Sequence, residues 1–294
     1  MKSGQKGRLY ALVRLDLRLL LMGLLTVLLG TAAVITARAM AGAGSVDIPI
    51  VMYHSVLKDR AYHGKYVISP AEFENDILYL KEHGYTTILM EDLINYTNGG
   101  ELPEKPILLT FDDGYYNNYL YAFELAKRYK VKFVISPIGR YADQYSESGE
   151  TNAYYTHATW EQLREMTGSG LVEVQNHSYD MHRQQEGAQG AKQRPGEPDK
   201  DYRERLTSDI SKAQEAFREN LGKAPSTFTY PFGAMSKSTP GIIKELGFSA
   251  SLICREKISA VTRDPESLYG LGRFLRESGM SSKEFFEKRM KLSP

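Results

Sequence analysis

The chain has 294 residues, 42% of them hydrophobic, enough for a short appendage and one large domain or two small ones. Its formal net charge of +1 hides an asymmetry: residues 1–18 hold five basic residues and one acid, a charge of +4, which leaves −3 for the rest. That weakly acidic body speaks against a nucleic-acid partner, which would meet a basic face, and the single cysteine, Cys254, excludes an intrachain disulfide.

Residues 1–18 read as a basic cytoplasmic lead. Residues 19–37 are uncharged and apolar on all sides, close to the roughly 20 residues that cross a bilayer as a helix. The lead would stay inside, so the body would lie outside the cytoplasm, anchored to the membrane. Ala39-Met40-Ala41 resembles a small-x-small cleavage site, so a removed signal peptide with a secreted body is the alternative. A linker follows over 38–47, and the body occupies 48–294.

In the body, short apolar runs alternate with helical patterns. Residues 48–53 predict a strand. Ser69-Pro70-Ala71-Glu72 is a capping box with proline at the first helical position. Phe73, Ile77 and Leu80 follow at helical spacing, and Gly84 ends the helix. Strands are expected over 85–90, 106–111, 131–136 and 171–175, with helices over 91–96, 116–129 and from Thr159. Residues 183–201 are polar and predict a surface loop. Leu206, Ile210, Ala213, Phe217 and Leu221 mark an amphipathic helix stopped by Gly222. Strands are expected over 227–230, 248–254 and 268–274, Pro240 starts a helix, and Ser281 caps a last one. Cys254 reads as a buried structural thiol. Strand–helix alternation implies parallel strands with helical crossovers. About eight strands over this length fit a (β/α) barrel better than an open sheet.

In such folds ligands bind at the carboxyl ends of strands, and the polar candidates fall there. Tyr53-His54-Ser55 follows the first strand, Asp112-Asp113-Gly114 the central one, and His177 to His182 the strand over 171–175. Tyr230-Pro231-Phe232-Gly233 follows 227–229, and Arg273 lies near the end of the last strand. Adjacent carboxylates at a buried strand end raise each other's pKa, a cost that a cation relieves. One carboxylate and two imidazoles with open positions suit catalytic zinc, which assigns Asp113, His177 and His182 to a metal. Asp112 is then free to act as general base. The same donors suit ferrous iron, though in other scaffolds.

Thr110-Phe111-Asp112-Asp113-Gly114, His177-Ser178 with His182, and Tyr230-Pro231-Phe232-Gly233 together resemble the motifs of polysaccharide deacetylases with the NodB-homology domain, carbohydrate esterase family 4. The resemblance covers roughly residues 48–290, with the homology core over about 104–294. It implies a distorted (β/α) barrel of seven or eight strands and one divalent metal, usually zinc, with Co2+, Ni2+ or Mn2+ as alternatives. The implied reaction removes acetyl from N-acetylated sugars of peptidoglycan, chitin-like oligomers or poly-N-acetylglucosamine. The implied partners are that polysaccharide and the membrane; no nucleic acid and no protein partner is called for.

Three departures stand out. The histidines are five apart rather than four, which is similar to the poly-N-acetylglucosamine branch. Thr229 stands where many members carry an arginine that orients the catalytic aspartate, and Arg273 is the candidate replacement. No histidine follows His182, so the acid that protonates the leaving amine is sought in Val51-Met52-Tyr53-His54-Ser55, which makes His54 the candidate. A backbone N–H near Phe232 is the candidate oxyanion donor. The rival readings are an O-acetyl esterase on the same fold and an inactive carbohydrate-binding homologue.

Overall fold

The computed structural model describes residues 44–183 and 189–293. The expected membrane or signal helix at 19–37 and its basic lead lie outside these residues. Among the described residues no helix is long and apolar enough to cross a membrane.

Strands β1 (Val46–Ile48), β2 (Ile50–Tyr53), β3 (Ser55–Val56) and β4 (Val67–Ile68) precede helix α1 (Pro70–Glu82). Next come β5 (Thr86–Ile88), α2 (Met90–Thr97), β6 (Pro106–Asp113), α3 (Glu124–Tyr129) and β7 (Phe133–Pro137). Helices α4 (Gly139–Ser148) and α5 (Trp160–Gly168), strand β8 (Val172–Val174) and helix α6 (Asp199–Leu221) follow. The chain finishes with β9 (Thr227–Thr229), α7 (Thr239–Glu245), β10 (Ala250–Leu252), β11 (Ser259–Val261), β12 (Phe274–Leu275) and a π-helical turn at Glu284–Arg289.

The sheet runs β12-β2-β6-β7-β8, all parallel, with β5 also on β6. A second parallel pair joins β9 to β10. Isolated parallel bridges link Asn176 to Phe228 and Leu252 to Leu271, between the two groups of strands. β6 is buried along its whole length, as a parallel strand covered on both faces should be, which is why Ile107-Leu108-Leu109 shows no alternation. On one face Phe111 stacks on Tyr53 at 4.9 Å and meets Phe133 and Phe73 edge-on. Burying each such ring contributes about 1.5–3 kcal/mol. The Ser69 cap forms as a reciprocal box with Glu72, and α1 turns Phe73, Ile77 and Leu80 into the core.

The structure differs from the expected elements in several places. β1 takes up Val46 and Asp47, residues placed in the linker, and pairs them antiparallel with β11. The strand expected over 85–90 stops at Ile88 because Met90 already opens α2, with Asp92 accepting from the Leu89 N–H. α4 was not expected: its apolar positions are few and no side chain caps it. The polar stretch 183–201 is not all surface loop. Ala191 is fully buried, and α6 starts at Asp199, seven residues before the first apolar position of its stripe. The strand expected over 268–274 is a 3-10 turn at Pro265–Leu268 followed by β12. Arg273 therefore lies just before a strand rather than at its end.

Candidate active site

Asp112 and Asp113 close β6, and the backbone turns sharply beneath them. Asp113 has φ 66°, a left-handed conformation rare for a side chain with Cβ. Gly114 has φ 76°, and a Cβ there would sit 2.4 Å from that of Pro137. The close approach of β7 requires glycine at this point. Ser178 (φ 72°) and Phe232 (φ 58°) share the left-handed region. Such outliers cluster where a site is held against local preference.

The two carboxylates face different partners. Asp112 is gripped by Arg273, Nη1 to Oδ1 at 2.6 Å and Nη2 to Oδ2 at 2.7 Å, with both side chains buried. Arg273 is itself held by the Ile253 carbonyl and the Thr110 hydroxyl, both at 3.2 Å. Burial pushes the Asp112 carboxyl up, but the guanidinium, with His177 nearby, holds it below the usual carboxylate range. Asp113 instead faces imidazoles: its Oδ1 lies 3.5 Å from His177 Nε2 and 3.2 Å from His182 Nε2.

The fold of the 177–182 segment explains how histidines five apart converge. The Asn176 side chain accepts from the Ser178 N–H at 2.7 Å, and the Ser178 hydroxyl accepts from the Met181 N–H at 3.1 Å. From α6, the Asp209 carboxylate accepts from the N–H groups of Tyr179 and Asp180, at 2.8 and 2.9 Å. His177 Nδ1 meets the Thr229 carbonyl at 2.8 Å. With the proton on Nδ1, that contact leaves the Nε2 lone pair aimed at Asp113, the usual way an outer carbonyl orients a ligating imidazole. The Phe232 ring lies 4.1 Å from His182.

These residues fit a metal. Asp113, His177 and His182 each offer one donor atom, all within 4.8 Å of one another. Asp113 Oδ1 is buried and accepts no hydrogen bond, a costly state for a carboxylate oxygen unless a cation completes it. Two nitrogens and one oxygen with open positions suit zinc and its neighbours.

A cavity of about 860 Å³ opens onto this cluster, lined by His54, Asp112, Asp113, His177, His182 and Phe232, with Tyr115 and Cys254 on its wall. His54 Nδ1 is buried without a protein partner. Burial lowers the His54 pKa, and the Asp112 and Asp113 charges oppose that shift. The Tyr230-Pro231-Phe232-Gly233 turn arrives differently. Tyr230 is 1% exposed and packs edge-on against Phe228, so its side chain belongs to the core and not to the cavity. Gly233 donates back to the Tyr230 carbonyl, which leaves Phe232 as the tip of the turn.

One further side chain, Cys254, lies elsewhere than its sequence context implies: it is on the cavity wall, 3.9 Å from Arg273 Nη2. His157 is buried and stacked between Tyr115 and Tyr141, and burial lowers its pKa to about 4. Asp209 was not foreseen. Its place on a polar helix face resembles a solvated acid, and only the neighbouring loop shows what it holds.

The sequence model of the family described as Polysaccharide deacetylase matches residues 99–251, just over half of the chain. The poly-beta-1,6-N-acetyl-D-glucosamine N-deacetylase of Escherichia coli (strain K12) is 25% identical over 259 residues, which cover 81% of this chain and 38% of that protein. Its counterpart in Staphylococcus aureus (strain MRSA252) is 26% identical over 208 residues, 69% of this chain and 66% of that one. The matched region thus spans less than two thirds of either relative. A solved de-N-acetylase from Aggregatibacter actinomycetemcomitans superposes with a TM-score of 0.69 at 26% identity, covering 80% of this chain and 97% of that chain. The α/β fold with its parallel sheet, the matched sequence and the aspartate pair at the end of β6 lead to one assignment: the chain belongs to the polysaccharide deacetylase family.

Proposed function

We propose that the protein is a metal-dependent hydrolase that removes N-acetyl groups from an extracytoplasmic polysaccharide of N-acetylated sugars. Poly-β-1,6-N-acetylglucosamine is the first candidate, because both curated relatives are named for it. The observation that carries the reading is the division of labour between neighbouring aspartates. Asp113 and two imidazoles bring donor atoms within 4.8 Å of one another, while Asp112 is paired with Arg273.

Asp113, His177 and His182 would hold the divalent ion, zinc before cobalt, nickel or manganese. When bound, that ion polarises the acetyl carbonyl and makes water acidic enough to attack near neutral pH. Asp112, kept ionised and fixed in direction by Arg273, takes the proton of the attacking water. His54, which lines the same cavity and is neutral by burial at rest, takes up a proton from water in the open cavity and delivers it to the leaving nitrogen, which an amide requires, while Asp112 returns the proton it took to solvent. The Phe232 N–H at the tip of its turn donates to the carbonyl oxygen as charge develops there. Tyr230, Pro231 and Gly233 shape that turn. The products are a free amino sugar and acetate.

We also read seven of the parallel strands, β2, β6, β7, β8, β9, β10 and β12, as a distorted barrel, a reading supported by the two isolated bridges that link their two groups. The basic lead and the apolar segment at 19–37 support an anchor that holds residues 48–294 outside the cytoplasm, with secretion after cleavage as the alternative.

Acetate release from N-acetylglucosamine oligomers by the full chain is the test. Asp112→Asn should lower turnover by about 10²–10⁴-fold. Wild-type turnover in that variant would overturn the reading.

A further inference from the structure

Tyrosines gather at the mouth of the cavity and expose their rings. Tyr62, Tyr66 and Tyr154 are 55%, 50% and 50% exposed, among the few large apolar side chains in that state, and all three line the cavity. They come from two separate loops. Tyr62 and Tyr66 lie between β3 and β4, and Tyr154 lies between α4 and α5. Even so, the rings of Tyr62 and Tyr154 approach to 5.1 Å, and Tyr66 meets His54 edge-on at 4.8 Å.

The loops are tied together from beneath. Asn117, fully buried, accepts from the Val56 N–H at 3.0 Å. Its amide donates to the Ser55 hydroxyl and to the Ala153 carbonyl, each at 2.8 Å. One side chain thus fixes the β3 end of the first loop against the residue that precedes Tyr154. The Ser55 N–H also bonds to the Tyr66 carbonyl at 3.0 Å, and Asp59 caps the turn that carries Tyr62. The aromatic surface is held in place before any ligand arrives.

Resting on the deacetylase reading, we propose that Tyr62, Tyr66 and Tyr154 form a shelf that binds the sugars flanking the one being deacetylated. Pyranose rings present a face of C–H groups. Those weakly positive hydrogens pack against the negative face of an aromatic ring, while the phenol stays wet. A cavity of about 860 Å³ is more than a single acetamido sugar fills, and its lining includes all three rings. The occupant is therefore an uncharged acetamido-sugar chain entering over the tyrosines, with its reacting unit beyond Tyr66 next to His54. Binding energy from the flanking units would then position a reacting centre that a monosaccharide reaches poorly.

The test measures binding and chemistry separately, on the full chain loaded with zinc. Titration with β-1,6-linked N-acetylglucosamine oligomers, from dimer to pentamer, gives Kd against chain length, and acetate release is followed in parallel. Wild-type affinity should rise with length. In the double variant Tyr62→Ala with Tyr154→Ala the pentamer Kd should weaken by about tenfold, within reach of two lost ring contacts, and the dependence on length should flatten. The matching Phe variants should keep it. A pentamer Kd that is the same in the Ala variant, or a wild type that binds pentamer no better than dimer, overturns the shelf. Length-dependent binding lost with the tyrosines, but with no acetate released by wild type, upholds the shelf and removes the deacetylase reading.

Discussion

Arg273 reaches Asp112 across 161 residues of sequence and holds both carboxylate oxygens in a bidentate fork, with neither side chain open to solvent. A buried ion pair of this kind adds little net stability as a pair, yet removing one partner strands the other. Arg273→Ala should therefore cost about 3–5 kcal/mol of unfolding free energy, measured by denaturant titration. Arg273→Lys keeps the charge and loses the fork. Its kcat for acetate release should fall by about 10–100-fold, with bound metal unchanged because Asp112 is not a donor in the proposed set. Loss of metal in Arg273→Lys would show that Asp112 is a ligand instead.

His54 separates an amide hydrolase from an ester hydrolase. An alkoxide leaves without strong acid help, whereas an amine does not. His54→Ala should lower turnover of acetamido sugars by about 10²–10⁴-fold and turnover of a small acetyl ester far less. Equal losses on both substrates would assign His54 to binding rather than to proton delivery.

Asp209 holds the two N–H groups that fold the 177–182 segment. Asp209→Asn keeps one acceptor and replaces the other with a donor, which must turn away. Metal affinity, measured by competition with a chelator, should weaken by about 10–100-fold, as for other outer residues that orient ligands. A variant that loses stability but binds metal as tightly as wild type would make Asp209 a structural residue only.

Glu173, on β8, supplies a pH test remote from the site. Burial raises its carboxyl to about 7, although the N–H groups of Glu91 and Met90 at the start of α2 pull it down. Between its unfolded pKa and about 7 the native state holds a proton that the unfolded chain has released. Stability must therefore fall as pH rises through that window and level off above it. The folded-state penalty at pH 8 is on the order of 3–4 kcal/mol. Glu173→Gln should abolish the decline, as read from unfolding free energies at pH 5 and pH 8. The same decline in the variant would place its source elsewhere.

The parts of the site legible in sequence are those that sit at strand ends and carry rare chemistry. Asp112-Asp113-Gly114 follows an unbroken apolar run, and the histidines follow a second strand, so topology alone points them toward one rim. The parts that were hidden act across distance or through the backbone. Arg273 precedes its strand instead of ending it, and Gly272-Arg273-Phe274 alone does not reveal which acid it meets; only the family resemblance pointed it toward the catalytic aspartate it does hold. Asp209 and Asn117 look like solvated or turn residues, because what they bind are main-chain groups of loops far away in sequence. Ala191 shows the same limit for the fold: Gln189, Gly190, Lys192 and Gln193 around it form no apolar run, yet it is fully buried in one cluster with Tyr202, Phe228 and Ile243. Pattern reading weighs runs of residues, and one small buried residue in a polar stretch leaves no run to read.

Acetate released from an N-acetylglucosamine pentamer, plotted against metal bound per chain, tests the central claim most directly. The account predicts turnover in proportion to bound metal, lost after chelation, restored by zinc, and absent from a His182→Ala chain that retains no ion. Undiminished turnover by protein stripped of metal would contradict it.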